Sequence, residues 1–164
     1  DTLREKSAHT PGAGIEMGLF EYSALVESEI SESVDASGKH SKRKQQDSIS
    51  DETWSIYALY GLPEDRLREV FAHELAHDWM QEYCPNIKDP KIREGWAEYI
   101  AWRCNVLLGH EKLNARVERN PDPIYGEGFK MIKKIADADG FDGLRQYLRK
   151  LSASSPPVIP GKRK

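Results

Sequence analysis

The stretch VFAHELAHDW, residues 70 to 79, decides how the rest of the chain is read. The apolar positions Leu67, Val70, Phe71, Leu75 and Trp79 recur at helical spacing, which predicts a helix from about Glu64 to Tyr83 with these side chains on one broad face. On that helix His73 and His77 are separated by about 400°, a little over one turn, so both imidazoles leave the same side, one above the other. Such a pair can chelate one metal ion. Glu74 flanks the pair and can reach a water on the ion without being a ligand. Zinc suits imidazole nitrogens, and a catalytic zinc takes three protein groups and leaves the fourth position to water. HExxH alone is a modest signal, because the His and Glu content of this chain yields a chance match in about one to two per cent of such sequences. A third ligand has to be sought.

The next helical stretch, predicted from about Lys91 to Leu108, opens KIREGWAEYIA and carries Glu94 and Glu98 four apart on one face. If it runs antiparallel to the histidine helix after the turn CPNIKDP, one carboxylate faces the imidazoles and the other supports them. Glu94 is the better ligand, since Gly95 beside it allows this helix to approach the histidine helix closely. Glu98, a turn later, can hold the outer nitrogen of a histidine and fix its tautomer. A metzincin pattern would require Gly at position 80 and His at position 83, where this chain has Met80 and Tyr83.

HELAHDW followed by REGWAEY resembles the gluzincin metallopeptidases, whose aminopeptidase branch carries a similar HExxHxW and E-G-aromatic-A-E-Y segment. The resemblance implies a zincin-like fold, one zinc ion held by His73, His77 and Glu94, and Glu74 as general base. YGLP ahead of the first histidine, the spacing from His77 to Glu94, and the later DPIYGEGFK are together similar to the peptidase domain of the plant LIM-domain, ubiquitin-activated growth-regulating peptidases. That likeness covers roughly residues 55 to 150, with an echo at GIEMGLFEYSAL. A link to ubiquitin would follow from it alone, and the ubiquitin-interacting motifs and LIM zinc domain of that family do not occur in this sequence. Arg93 stands where the family has an acidic residue, and Glu98 with Tyr99 is closer to the aminopeptidase version.

In the mechanism these residues imply, zinc lowers the pKa of a water and polarises the scissile carbonyl, and Glu74 moves the proton to the leaving amine. The oxyanion then needs another donor. Tyr125, between Asp122-Pro123 and the glycines Gly126 and Gly128, is the leading candidate, set against a plain tyrosine packed at a helix start. His110 is a second candidate, set against a polar cap at the end of the Glu94 helix. Trp79, Trp96, Trp102 and Phe129 could touch substrate, but aromatics at helical spacing are more often core, and Trp79 and Trp102 are assigned to it. The strand ending at YALYGLP offers an edge for an extended substrate. With no Gly-rich amine-binding motif upstream of His73, an endopeptidase is favoured over an aminopeptidase.

Around this nucleus the organisation is α+β. Strand-like runs begin at Gly14 (GIEMGLFEY) and Thr53 (TWSIYALYG), the second alternating Trp54, Ile56, Ala58 and Tyr60 with Ser55, Tyr57 and Leu59. Helices follow at 64–83, 91–108, 125–138 and 142–151, the last N-capped by Asp142. A single zincin-like domain is expected over residues 14–152, with a flexible segment at 1–13, a mobile polar loop at 33–53 and a disordered, Pro-rich basic tail at 153–164. The 164 residues suit one domain, and the net charge of -3 argues against nucleic acid as the main partner. No apolar run approaches the ~18 residues needed to span a bilayer. The amino end lacks an initiating Met and an apolar run, so it reads as a processed end rather than a signal peptide. Cys84 and Cys104 fit no disulfide framework or metal knuckle, and as small core residues they lean towards a reducing, cytoplasmic setting. Two other classes compete with a zinc peptidase acting on a protein or peptide: an inactive metal-binding interaction module, and a helical domain without metal.

Overall fold

The structure is a computed structural model and describes residues 17–34 and 40–155. The segment 1–13 and the tail beyond residue 155 lie outside the described residues. Among the described residues the order is strand β1 (Gly18–Val34), strand β2 (His40–Ala58), helix α1 (Glu64–Tyr83), helix α2 (Pro90–Leu108), helix α3 (Glu111–Glu118) and helix α4 (Tyr125–Ser154). The class is α+β, with β1 and β2 as neighbours in a two-stranded sheet. Leu59 donates its N–H to the Met17 carbonyl at 2.8 Å, Tyr57 reaches Glu21 at 3.3 Å, and Ser23 meets Thr53 through their hydroxyls at 2.6 Å; one strand's numbers rise as the other's fall, so the pair is antiparallel.

The described residues divide into two compact units, one of residues 17–21 with 55–155 and the other of residues 22–54. The second unit is a two-stranded ribbon, and it corrects the expectation of a loop at 33–53, because residues 40–53 belong to β2. The sequence of this stretch is almost entirely polar, without the apolar alternation that marks a half-buried strand, so it reads like a loop.

In the first unit α2 is central, and α1, α3 and α4 all pack on it. Pro90 occupies its first turn, the Asp89 carboxylate accepts from the Lys91 N–H at 2.9 Å, and Gly109 ends it in the left-handed conformation, φ 73°. Helices α1 and α2 are antiparallel: Trp96 donates its indole N–H to the Ala76 carbonyl at 3.0 Å, and further along α2 Asn105 reaches back to Glu69 at 3.1 Å. The core gathers Met80, Trp96, Tyr99, Val117, Phe129, Ile132, Leu144 and Leu148. Trp96 and Phe129 are thus core residues, while Trp79 and Trp102 pack against the core half-buried. Cys84 is buried and unpaired, and burial pushes its thiol up to about 11 against the opposing Arg149, which leaves it a protonated core residue at neutral pH.

Several expectations change. The helices expected at 125–138 and 142–151 are two halves of α4 that meet at Gly140, whose φ of 74° and ψ of 174° break the helical run. Asp142 therefore lies inside the first turn after the break instead of capping it. Helix α3 was not legible, because its eight residues are too few to establish a period. On α1, Phe71 and Leu75 are exposed while Glu69, Glu74 and His77 are buried. The buried side of the helix is mixed, with Val70, Ala76 and Met80 beside these polar groups.

Gly95 does allow a close approach, but to α4 and not to α1. A methyl group at Gly95 would collide with the backbone of Gly128, and one at Gly128 would collide with the Lys91 carbonyl. This backbone-to-backbone contact seats the start of α4 on the start of α2. Gly128→Ala should therefore cost about 1–3 kcal/mol, because a helix rather than a side-chain end has to move. Chemical denaturation of the variant beside wild type measures it.

Candidate metal centre

Three donor atoms converge at the α1–α2 interface. His73 Nε2 and His77 Nε2 each lie 3.3 Å from Glu94 Oε2, and the two nitrogens are 3.2 Å apart. They form a nearly equilateral triangle able to hold one metal ion. The one-turn spacing on α1 brings the rings edge to face, with centroids 4.9 Å apart and planes at 74°. The antiparallel course of α2 then brings Glu94 across from both. Glu98, one turn further along α2, places Oε1 3.4 Å from His73 Nδ1, so His73 is held from both sides. His77 Nδ1 is buried with no protein partner.

Glu74 points from α1 towards the first residues of β1. The Phe20 N–H bonds its carboxylate, and a methyl group at Gly18 would stand 2.5 Å from both Glu74 Oε1 and Val70 Cγ1. The Met17 carbonyl accepts from Leu59 N–H at 2.8 Å, so odd-numbered backbone groups of β1 face β2 and those of Gly18 and Phe20 face outward. The strand edge beside Glu74 is thus that of β1, whereas the sequence pointed to the strand ending at YALYGLP. Burial raises the Glu74 pKa, and Glu94 adds to this. His73, His77 and the Phe20 N–H oppose it, and the result lies above the ordinary carboxylate range.

Tyr125 stands next to the triangle, its ring centroid 6.4 Å from that of His73 and nearly parallel to it. It is delivered there by the Gly95–Gly128 contact and by Asp122, whose Oδ1 accepts the N–H groups of Ile124 and Tyr125 at 2.8 Å each. Gly126 abuts the Asn120 carbonyl, which tightens the same turn. His110 is not brought to the centre. It follows the end of α2, 16 residues beyond Glu94, or roughly 24 Å along the axis.

Two contributors went unread in the sequence. Asp122 was signalled by an Asp-Pro pair just ahead of a helix start. Glu69 had no signal: buried one turn before His73, it accepts from Arg66, from Asn105 and, at 2.9 Å, from Arg116, pinning α1 to α2 and α3.

The triangle carries its own electrostatics. Burial resists charge on His73, but hydrogen bonds to Glu94 and Glu98 overcome it and lift His73 from its ordinary 6.5 to about 10. Burial likewise opposes ionisation of Glu94, but hydrogen bonds from His73 and His77 bring it from 4.5 down to about 2. The stabilisation from His73 is fully present below pH 6.5 and is lost as pH rises through about 10. That from Glu94 is present above pH 4.5 and is lost as pH falls through about 2. Metal-free protein should therefore show a stability plateau from this pair between pH 4.5 and 6.5, and His73→Gln should flatten its alkaline limb in urea titrations. Metal binding at pH 7 should release about one proton, measurable by calorimetry in two buffers of different ionisation heat. In comparisons with known proteins no family model matched the chain, and neither a curated protein nor a solved structure did.

Proposed function

We propose that this chain is a zinc-dependent metallopeptidase of gluzincin type, with a zincin-like arrangement of α1, α2 and the root of the sheet, acting as an endopeptidase. The observation that carries this reading is the donor triangle, with sides of 3.2, 3.3 and 3.3 Å and two imidazole nitrogens and one carboxylate oxygen at its corners. A tetrahedral site with arms of about 2.0–2.1 Å has edges of about 3.3–3.4 Å. An octahedral site with the same arms would need edges of about 2.9 Å and an oxygen-rich donor set. The spacing and the chemistry of the donors both favour zinc.

His73, His77 and Glu94 would hold the ion, and Glu98 would orient His73 by accepting from its Nδ1–H. When bound, zinc supplies a Lewis acid for a peptide carbonyl and an acidified water. Glu74 would accept a proton from that water and pass it to the leaving amine. Its raised pKa favours this double duty, since a carboxylate of ordinary acidity returns protons readily but takes them poorly at neutral pH. The Phe20 N–H fixes one side of the Glu74 carboxylate, which removes a rotational freedom the base would otherwise have to lose. Tyr125 offers a phenol beside His73 for the oxygen on which negative charge grows. The outward edge of β1 next to Glu74 can pair with an extended chain, which supports an endopeptidase.

Glu74→Gln should retain about one zinc per chain and lose activity by about 10²–10⁴-fold on a proteome-derived peptide library. Cleavage at the wild-type rate would remove Glu74 as the base, and zinc-loaded wild type without turnover would identify an inactive binding module instead. Tyr125→Phe should lower kcat by about 10²–10³-fold with little change in KM. An unchanged kcat would return Tyr125 to a packing role.

A further inference from the structure

A cleft of about 530 Å³ is lined by Lys112, Ala115, Arg116, Arg119, Asn120 and Pro121, the last two in the turn that leads into α4. Three of its six lining residues are cations, in a chain whose net charge is -3. Lys112, Arg116 and Arg119 are spaced to share one face of α3. Of the acidic groups nearby, Glu111 at the start of α3 is exposed, and three others are engaged elsewhere. Glu118 accepts the Trp102 indole N–H at 2.9 Å, Asp122 accepts the N–H groups that start α4, and Glu69 is buried among its own donors. Only Arg116 has a carboxylate partner, Glu69, while Lys112 and Arg119 make no ion pair among the described residues. The last carbonyls of α3, which would repel an anion, are also occupied: Ala115 O by the Arg119 N–H at 3.3 Å and Val117 O by the Asn120 N–H at 3.2 Å.

We propose that this cleft docks an acidic peptide segment of the substrate, a few residues away from the bond presented to His73, His77 and Glu94. The inference rests on the peptidase reading and adds a substrate class to it. The turn itself provides the link, since Asn120 and Pro121 line the cleft while Tyr125 stands at the centre. Four residues of chain span at most about 15 Å, so with the further step from Tyr125 to His73 the two places are on the order of 20 Å apart or less. An extended substrate advances about 3.3 Å per residue, which puts its acidic cluster within about six residues of the scissile bond. Charge, not shape, does the recognising, so salt should weaken it.

The test uses the whole chain and a fluorescein-labelled hexaglutamate peptide, read by anisotropy at low salt. Hexaglutamate should bind wild type and hexalysine should not, and the double variant Lys112→Glu/Arg119→Glu should bind at least tenfold more weakly. Lys112→Gln/Arg119→Gln guards against misfolding and should lose part of that affinity with an unchanged melting curve. No binding to wild type, or equal affinity in folded variants, overturns the proposal. Tighter binding of inorganic polyphosphate through the same two residues overturns the assignment to a peptide. Cleavage supplies the second arm, with two peptides carrying four Glu or four Gln centred five residues from the bond. The Glu peptide should have a KM about tenfold lower at equal kcat, and the advantage should vanish in the double variant. Equal KM values on wild type would overturn substrate docking and leave the peptidase reading standing. Hexaglutamate bound through Lys112 and Arg119 with no cleavage of any peptide would instead sink the peptidase reading and the substrate role while leaving an acidic-peptide site.

Discussion

The structure depends on one constraint: α1 buries polar side chains, and each has to be given a partner. Glu69, Glu74 and His77 are buried on it, and His73 is largely covered. A buried carboxylate or imidazole left unpaired costs several kcal/mol, more than an average side-chain contact returns. The surrounding elements answer this demand one residue at a time. Asn105 of α2 and Arg116 of α3 reach Glu69, Glu94 and Glu98 of α2 reach the histidines, and the Phe20 N–H of β1 reaches Glu74. The short helix α3 has a structural reason to exist, because it carries Arg116 to Glu69 and Val117 to the core.

The same constraint explains what could be read in the sequence. Spacing alone placed His73 and His77 on one side of a helix and asked for a carboxylate on the next, and Glu94 and Glu98 stand where that reasoning put them. What failed was the width given to the apolar face of α1, which holds for Val70 but not for all its members. Phe71 and Leu75 matched the apolar period of α1 and are exposed, because the polar groups of the centre occupy some of the interior-facing positions. Glu69 was invisible for the same reason, since a glutamate on a charged helix is usually solvated. The polar strand at 40–53 escaped because its residues show no apolar alternation, the trace by which a half-buried strand is read from sequence. Gly95 was recognised as a close-approach residue but matched to the wrong neighbour. Sequence shows that a glycine admits another backbone, and only the fold shows which one.

That neighbour matters for chemistry. The Gly95–Gly128 contact links the helix that carries Glu94 to the helix that begins with Tyr125, so the two ends of the centre are set by a single backbone crossing. Had the crossing used larger side chains, the helix axes would stand further apart and the tyrosine would move away from His73. Asp122 and Asn120 then fix the turn that leads into Tyr125, with Asn120 Oδ1 accepting the Asp122 N–H at 3.0 Å. The short segment from Asn120 to Gly128 therefore carries more positional information than its length implies.

Charge accounts for how closely the three donor atoms stand. Three lone-pair-bearing atoms within 3.3 Å of one another would repel if all were deprotonated. With His73 held protonated to about 10 and Glu94 ionised down to about 2, a proton sits among them and takes the place of the cation. A proton shared in this way draws the carboxylate and the imidazoles together, and a cation entering at neutral pH has to displace it. Preorganisation of this kind lowers the ordering cost of capture, but it makes a neutral-pH proton a direct competitor for the ion. Glu98 strengthens both sides of that competition, because by accepting from His73 Nδ1 it raises the basicity of Nε2 towards proton and metal alike.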